Sequence, residues 1–529
     1  MQLQDLKNKI TIRAEVYCVL FALYNLLAFN RVFFIKLYAI NPSVCFACGT
    51  FAAVFALFCL CCLILFRRYT LKPLSYLFLL INSNLSYFVK TYNISFDEDM
   101  LMNILQTDWN ESMDLIGIPL FVHIFVFAVI PICLITRLDI RYPSFKRLTI
   151  WIFAGIFLLF GVISLNHRLA FSFIRNNKSL RYVLIPSNYI SAVISAVKHY
   201  YRENHEFIVI GEDASFTAPT ANGKKILLVL IVGETARAAN FSLDGYARDT
   251  NAPLQKHSAN IINFIDASAC GTSTAVSVPC MFSKDARNNF VKGSAAYSEN
   301  LLDIFHKVGY RVFWIENNSD CKDVCNRIEK SRPCPYKLGT CNDDIMLPEI
   351  DKILAGEPEN TMIVLHQQGS HGPKYYLRYP QETAPFTPDC RKDSFDECTP
   401  QELINAYDNT IYYTSQMISD TIDKLQKFDS QYNIVALYAS DHGESLGEHG
   451  LYLHSAPYRF APQEQTWIPF FFWIDREALS AFGIDKQCLL DKSDSAVSHD
   501  NIFHSFLGLG GISAKEYQSE LDLFSDCKK

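Results

Sequence analysis

Five long apolar runs fill the first third of the chain, near Ala14–Ile35, Val44–Phe66, Leu71–Val89, Ile116–Ile135 and Leu148–Leu165. A helix crosses a bilayer with about 20 mainly apolar residues, and these runs have that length. One such run alone would suit a buried helix of a soluble core; five in series point to a membrane domain. The first and third are the weakest, because Asn25, Asn30, Asn82 and Asn84 interrupt them. The first is also too long, and too polar at its end, for a cleaved signal peptide.

Basic residues between the runs set their orientation. Lys7, Lys9 and Arg13 precede the first run, Arg67, Arg68 and Lys72 join the second to the third, and Arg137, Arg141, Lys146 and Arg147 lie between the fourth and fifth. These segments belong on the cytoplasmic side. The loop carrying Asp97, Glu98, Asp99, Asp108, Glu111 and Asp114 belongs outside, and with five spans everything after Leu165 faces outside as well. Three parts are expected: a membrane domain over residues 1–165, a connector over 166–223 and a catalytic domain over 224–529. Within the connector, Tyr189–Tyr201 has the aromatic and basic make-up of an interfacial helix, a pattern that a helix packed on the soluble domain shares equally.

The 17 cysteines divide along the same boundary. Seven fall in or beside the apolar runs, where cysteine serves as a small apolar residue. Cys270, Cys280, Cys321, Cys325, Cys334, Cys341, Cys390 and Cys398 form close sequence pairs in the exported part, which suits nearest-neighbour disulfides. A zinc ribbon at Cys321, Cys325, Cys334 and Cys341 fits an oxidising compartment less well, and Cys488 and Cys527 have no assigned partner. The net charge of −6 offers no basic patch for a nucleic acid.

In the soluble part, Ile226–Val232, Arg311–Ile315, Met362–Leu365 and Ile434–Tyr438 read as buried, parallel strands alternating with helical segments such as Ser298–Val308 and Pro400–Leu425. Ligands of such sheets bind beyond the carboxyl ends of the strands. Glu234 follows the first strand, His366 and His371 the Met362 strand, and Asp441 and His442 the Ile434 strand, with His454 twelve residues on. Each alone has a bland explanation, a helix cap or a satisfied turn histidine. Together, Glu234, Asp441 and His442 make three ligands of a zinc site with a position left open. The turn Cys270-Gly-Thr-Ser-Thr-Ala-Val-Ser-Val-Pro-Cys280 offers a hydroxyl for that position, at a helix start suited to phosphate. Residue chemistry alone does not separate Thr272, Ser273 and Thr274.

Val232-Gly-Glu-Thr-Ala-Arg-Ala-Ala-Asn-Phe-Ser-Leu-Asp-Gly-Tyr246, Cys270-Gly-Thr-Ser-Thr274 with Ser277-Val-Pro-Cys-Met-Phe-Ser283, and Ser440-Asp-His-Gly-Glu-Ser-Leu-Gly-Glu448 closely resemble the phosphoethanolamine transferases. These are membrane members of the alkaline phosphatase/sulfatase superfamily. The resemblance covers nearly the whole chain. It implies a five-helix membrane domain joined to an α/β alkaline phosphatase/sulfatase-like domain with a mainly parallel central sheet. It also implies transfer of phosphoethanolamine from phosphatidylethanolamine to lipid A, with a core sugar or other glycan as alternative acceptor, by a monomer in the bacterial inner membrane whose catalytic domain is periplasmic. By position, Thr274 looks like the residue that becomes phosphoethanolaminated. Glu234, Asp441 and His442 match ligands of one tightly bound zinc. His371 and His454 match histidines that surround the phosphoryl group or hold a second metal. Asn318 and Lys322 resemble a headgroup-binding pair, although Cys321 and Cys325 beside them depart from some members. Asn103, Thr107 and Glu111, spaced along one helical face, match residues that hold the donor's ethanolamine. Sulfatases are the nearest rival, but they need a modifiable Cys or Ser at the nucleophile, where this chain has Thr274.

Overall fold

The computed structural model describes residues 10–107, 112–113, 115–176, 178–202, 206–217, 220–334, 341–392 and 395–529. The chain divides into two compact units. One comprises Met1–Leu101 with Ile116–Lys198, and the other comprises Met102–Leu115 with His199–Lys529.

The first unit is helical. Val44–Leu65 and Ile118–Thr136 are each long and apolar enough to cross a membrane. The run Ala14–Ile35 is not one helix, which corrects the expectation of an unbroken span. Ala14–Phe29 and Arg31–Ile40 meet at 66° and count as a third span only if taken together. Asn30 sits at the break, where its amide donates to the Ile185 carbonyl at 2.9 Å and accepts the Ile185 N–H at 2.8 Å. A buried amide must be paired, and serving a distant backbone fixes this side chain where the helix turns.

Leu71–Tyr92 is helical too, but Ser75, Asn82, Ser83 and Ser86 lie on its buried face. Asn82 donates to Asn25 Oδ1 at 2.7 Å, and the Tyr189 hydroxyl donates to Asn82 Oδ1 at 3.0 Å. The same polar groups that tie these helices together lower their hydropathy. Among the described residues, two or three elements therefore qualify as spans by length and apolarity, against the five expected. The Phe145–Asn176 helix runs on past Leu165, and Ser187–Arg202 forms a further helix.

The second unit is built on a sheet of seven strands among the described residues. Their order is Ile261–Asn263, Phe470–Ile474, Tyr432–Ser440, Lys225–Gly233, Thr361–His366, Arg311–Glu316, Glu329–Ser331. The sheet is mixed, with most of its strands parallel. The five strands from Tyr432–Ser440 to Glu329–Ser331 run parallel, whereas Phe470–Ile474 is antiparallel to both its neighbours. The four strands expected from the sequence are the contiguous centre, because runs apolar on both faces can only lie between two covering layers. Ile226, Leu228, Leu230 and Val232 enter one core cluster, and Leu227, Val229 and Ile231 on the other face are equally buried. The Pro400–Leu425 helix starts at a capping box between Thr399 and Glu402, which satisfies donors at its first turn. Disulfides join Cys270 to Cys280, Cys321 to Cys325, Cys334 to Cys341, Cys390 to Cys398 and Cys488 to Cys527.

Candidate active site

Strand register brings the acidic residues together. Gly233 pairs with Ser440 across adjacent parallel strands, so the next residues, Glu234 and Asp441, emerge side by side. His366 pairs with Val232 on the other neighbour. Gly369 then lets the following loop lie directly on Glu234. A Cβ there would stand 2.7 Å from the Glu234 carbonyl oxygen, and its φ of +52° also favours glycine. The neighbouring Ser370 N–H donates to that carbonyl at 2.9 Å.

Glu234, Asp441 and His442 are fully buried, and one ligand atom from each lies within 4.8 Å of the others. Asp441 Oδ1 accepts the N–H groups of Thr235 and His442 at 3.1 and 2.7 Å. His442 Nδ1 is 2.9 Å from the Gly443 carbonyl, which only accepts, so the proton sits there and Nε2 presents its lone pair. Asp441 Oδ2 and His442 Nε2 are buried without a hydrogen-bond partner, and they lie 3.3 Å apart. Burial pushes the Asp441 carboxyl up to about 7 and holds the His442 imidazole down at about 4. Two orphaned, buried acceptors beside a second carboxylate are a donor set that suits a divalent cation, and zinc takes this mixture of carboxylate and imidazole.

Thr274 opens the Thr274–Met281 helix, and its Oγ1 lies 3.1 and 3.3 Å from the two Glu234 carboxylate oxygens. Thr272 is turned away, its hydroxyl donating to the Ala456 carbonyl at 2.7 Å, and Ser273 is the residue before the helix. The three hydroxyls that the sequence left equivalent are thus distinct, and Thr274 is the one facing the acidic cluster. The Cys270–Cys280 disulfide closes this turn.

Histidines line the cluster. The His454 ring centre is 4.5 Å from that of His442 and 5.4 Å from that of His371. Burial, then the neighbouring His454, holds the His371 imidazole well below its usual range. His454 Nδ1 lies 2.8 Å from Glu444 Oε2, while Tyr375 donates to Glu444 Oε1 at 2.7 Å. Burial pushes Glu444 up to about 8 and His454 down to about 4. The pair is therefore uncharged overall at neutral pH, with one proton in its hydrogen bond and one on His454 Nε2. Glu444 was in plain view in the Asp-His-Gly-Glu motif, but only the fold reveals that it orients His454. Glu444→Ala is expected to lower turnover about 10–100-fold, as the loss of a carboxylate orienting a functional histidine does. Metal content should be retained, and paired activity and metal-stoichiometry measurements check both.

Asn318 is committed to the cluster itself. Its amide donates to Glu234 Oε2 at 2.6 Å and to the Gln367 carbonyl at 2.8 Å. Lys322 Nζ donates to Ser319 Oγ at 2.8 Å and to the Gln106 carbonyl at 3.2 Å. In the same unit, Asn103 Nδ2 donates to Ser455 Oγ at 3.4 Å, and the Thr107 hydroxyl donates to the Asn103 carbonyl at 2.7 Å. Glu111 lies outside the described residues. Asp343 carried no sequence signal. Its buried carboxylate accepts the Gln368 and Gly369 N–H groups at 2.8 and 3.0 Å and so pins the loop that leads to His371.

Residues 227–512 match the family described as Sulfatase, and residues 54–201 match the one described as phosphoethanolamine transferase EptA/EptB. The chain is 36% identical over 472 residues to phosphoethanolamine transferase EptA of Escherichia coli K12, covering 87% of this chain and 86% of the relative. It is 35% identical over 523 residues to phosphatidylethanolamine transferase Mcr-1 of Escherichia coli, covering 95% and 94%. The solved structure of the integral membrane protein lipooligosaccharide phosphoethanolamine transferase A from Neisseria meningitidis is similar with a TM-score of 0.94 and 34% identity, over 98% of this chain and 100% of that one.

Proposed function

This chain belongs to the phosphoethanolamine transferase family, and on that premise we propose that it moves phosphoethanolamine from phosphatidylethanolamine to lipid A through a covalent adduct on Thr274. The observation that carries this reading is the Thr274 hydroxyl, held at a helix start against Glu234 beside Asp441 and His442.

Thr274 Oγ1 gives up its proton to solvent and attacks the phosphorus, the P–O bond to diacylglycerol breaks, and diacylglycerol leaves. His454, which carries a hydrogen on Nε2, stands ready to protonate the departing oxygen. His371 faces the same space as a neutral imidazole. Backbone N–H groups at the start of the Thr274–Met281 helix favour the phosphoryl charge. Asn318 keeps Glu234 turned toward Thr274. A zinc ion held by Glu234, Asp441, His442 and the Thr274 oxygen would act as a Lewis acid, favouring the alkoxide and offsetting phosphoryl charge. In the second displacement an acceptor phosphate oxygen attacks phosphorus and gives up its proton to His454, the bond to Thr274 breaks, the Thr274 oxygen takes a proton from solvent, and the free enzyme returns. Two in-line displacements give net retention at phosphorus and ping-pong kinetics.

Lipid A as acceptor follows the lipooligosaccharide named for the Neisseria relative. Adding an amine to a lipid A phosphate weakens its attraction for cationic peptides such as polymyxin. Five spans, with the basic segments inside, would put residues 224–529 on the periplasmic face of the inner membrane.

Peptide mass spectrometry tests the adduct. Wild-type protein incubated with phosphatidylethanolamine is expected to carry phosphoethanolamine on the peptide holding Thr274, and Thr274→Ala is expected to carry none. An adduct on Thr272 or Ser273, or none with lipid A modification intact, overturns the assignment.

A further inference from the structure

The helical unit has a cavity of its own, of about 360 Å³, a size that accommodates part of a lipid. Its inner walls are apolar: Cys18, Leu63 and Phe66 are buried, and Leu148 closes one side. Its mouth is basic and aromatic, with Arg67 and Arg68 beside the exposed rings of Tyr69 and Tyr142. An apolar interior below a basic and aromatic rim has the polarity profile of a membrane interface, where aromatic rings and arginines meet headgroups.

The charges at this mouth are not balanced. Glu15, the one acidic lining residue, is buried with Oε1 2.8 Å from Arg147 Nε, so a single carboxylate stands against the two lining arginines and Arg147. Arg67 donates to the Leu63 carbonyl at 2.9 Å, and the Arg68 guanidinium lies over the Tyr69 ring at 5.8 Å. Among the described residues neither arginine has an acidic partner. Two uncompensated guanidiniums at the rim of an apolar cavity call for a ligand with a negative head and a greasy tail. A zwitterionic lipid would add an ammonium group to a rim where arginines already outnumber the single carboxylate.

From this we infer that the helical unit holds a binding site for an anionic phospholipid, with the phosphodiester on Arg67 and Arg68 and acyl chain along Leu63, Phe66 and Leu148. Every lining residue belongs to the helical unit, whereas the reaction site lies in the other, so this is a second lipid site and not the donor site. It stands or falls independently of the Thr274 chemistry.

Native mass spectrometry of the full chain, released from nanodiscs of equal parts phosphatidylglycerol and phosphatidylethanolamine, reads it directly. Wild type is expected to retain phosphatidylglycerol over phosphatidylethanolamine. In Arg67→Gln with Arg68→Gln that preference is expected to fall about tenfold or more, since each basic residue near an anionic lipid contributes on the order of 1 kcal/mol. Arg67→Lys with Arg68→Lys, which keeps both charges, is expected to keep the preference and guards against a folding defect in the glutamine variant. Equal retention of both lipids by wild type, or an undiminished preference in the glutamine variant, overturns the proposal. Displacement of the lipid by millimolar inorganic phosphate also overturns it, because a bare anion would then suffice.

Discussion

Asp441→Asn is expected to leave the fold standing while metal is lost and transferase activity falls about a thousandfold, the rate equivalent of the several kcal/mol that a bound Lewis acid supplies. The two oxygens of Asp441 have separate duties. Oδ1 accepts the Thr235 and His442 N–H groups, and an asparagine carbonyl oxygen can keep both bonds. Oδ2 is the orphaned atom facing His442 Nε2, and an amide nitrogen there would turn a donor toward the cation. Backbone architecture should therefore survive where metal binding does not. Burial also holds the metal-free Asp441 carboxyl at about 7, so below that pH a proton competes with the ion. Metal affinity is expected to weaken as pH falls from 8 to 6, with proton release on binding across that range. Calorimetry in buffers of different ionisation enthalpy measures the release. Full activity and metal content in Asp441→Asn would sink this account.

How much of this site the sequence discloses depends on how far apart the cooperating residues are. Glu234 and Asp441 are readable because each directly follows an apolar strand, and parallel neighbours deliver their carboxyl ends to one edge. The distinction between Thr272 and Thr274 is not local. It is made by the Ala456 carbonyl, which takes the Thr272 hydroxyl from 184 positions away. Asp343 holds the backbone of Gln368 and Gly369, and Glu316 meets His366 of the neighbouring strand, partners 25, 26 and 50 residues away that no spacing announces. In the sheet, Phe470–Trp473 is an aromatic run, but composition carries no direction, and its antiparallel pairing with both neighbours emerges only from the fold. In the helical unit, Asn30 reads as a blemish in an apolar run. Its role as the bend depends on Ile185, 155 residues on.

Beneath the Glu234–Asp441–His442 cluster lies a buried ion pair, and breaking it is expected to have the largest effect on stability. His366 Nδ1 is 3.1 Å from Glu316 Oε2, both residues are buried, and their strands pair them directly. Trp314 Nε1 donates to the same Glu316 oxygen at 2.8 Å, and the Asn318 N–H donates to the other at 2.6 Å. Burial works against both charges, yet the pairing wins. Glu316 is held below its usual range and His366 above it. Glu316→Ala strands a buried imidazolium and removes the acceptor of three donors, so a loss of roughly 3–5 kcal/mol is expected. Adding His366→Gln to Glu316→Gln removes both charges and should recover part of that loss, as a double-mutant cycle in denaturant would reveal. The pH dependence has a definite sign. The depressed Glu316 contributes stability that is present above its unfolded value, about 4.3, and is lost as pH falls through the folded value. The raised His366 contributes stability present below about 6.5 that is lost as pH rises through its folded value. The difference in stability between wild type and the doubly neutral variant should therefore peak between those limits and shrink on either side, and a flat difference across pH would mean that the pair is neutral. Because Asn318 hangs from Glu316 by its N–H and reaches Glu234 with its amide, the same variants should also loosen the carboxylate against which Thr274 is held.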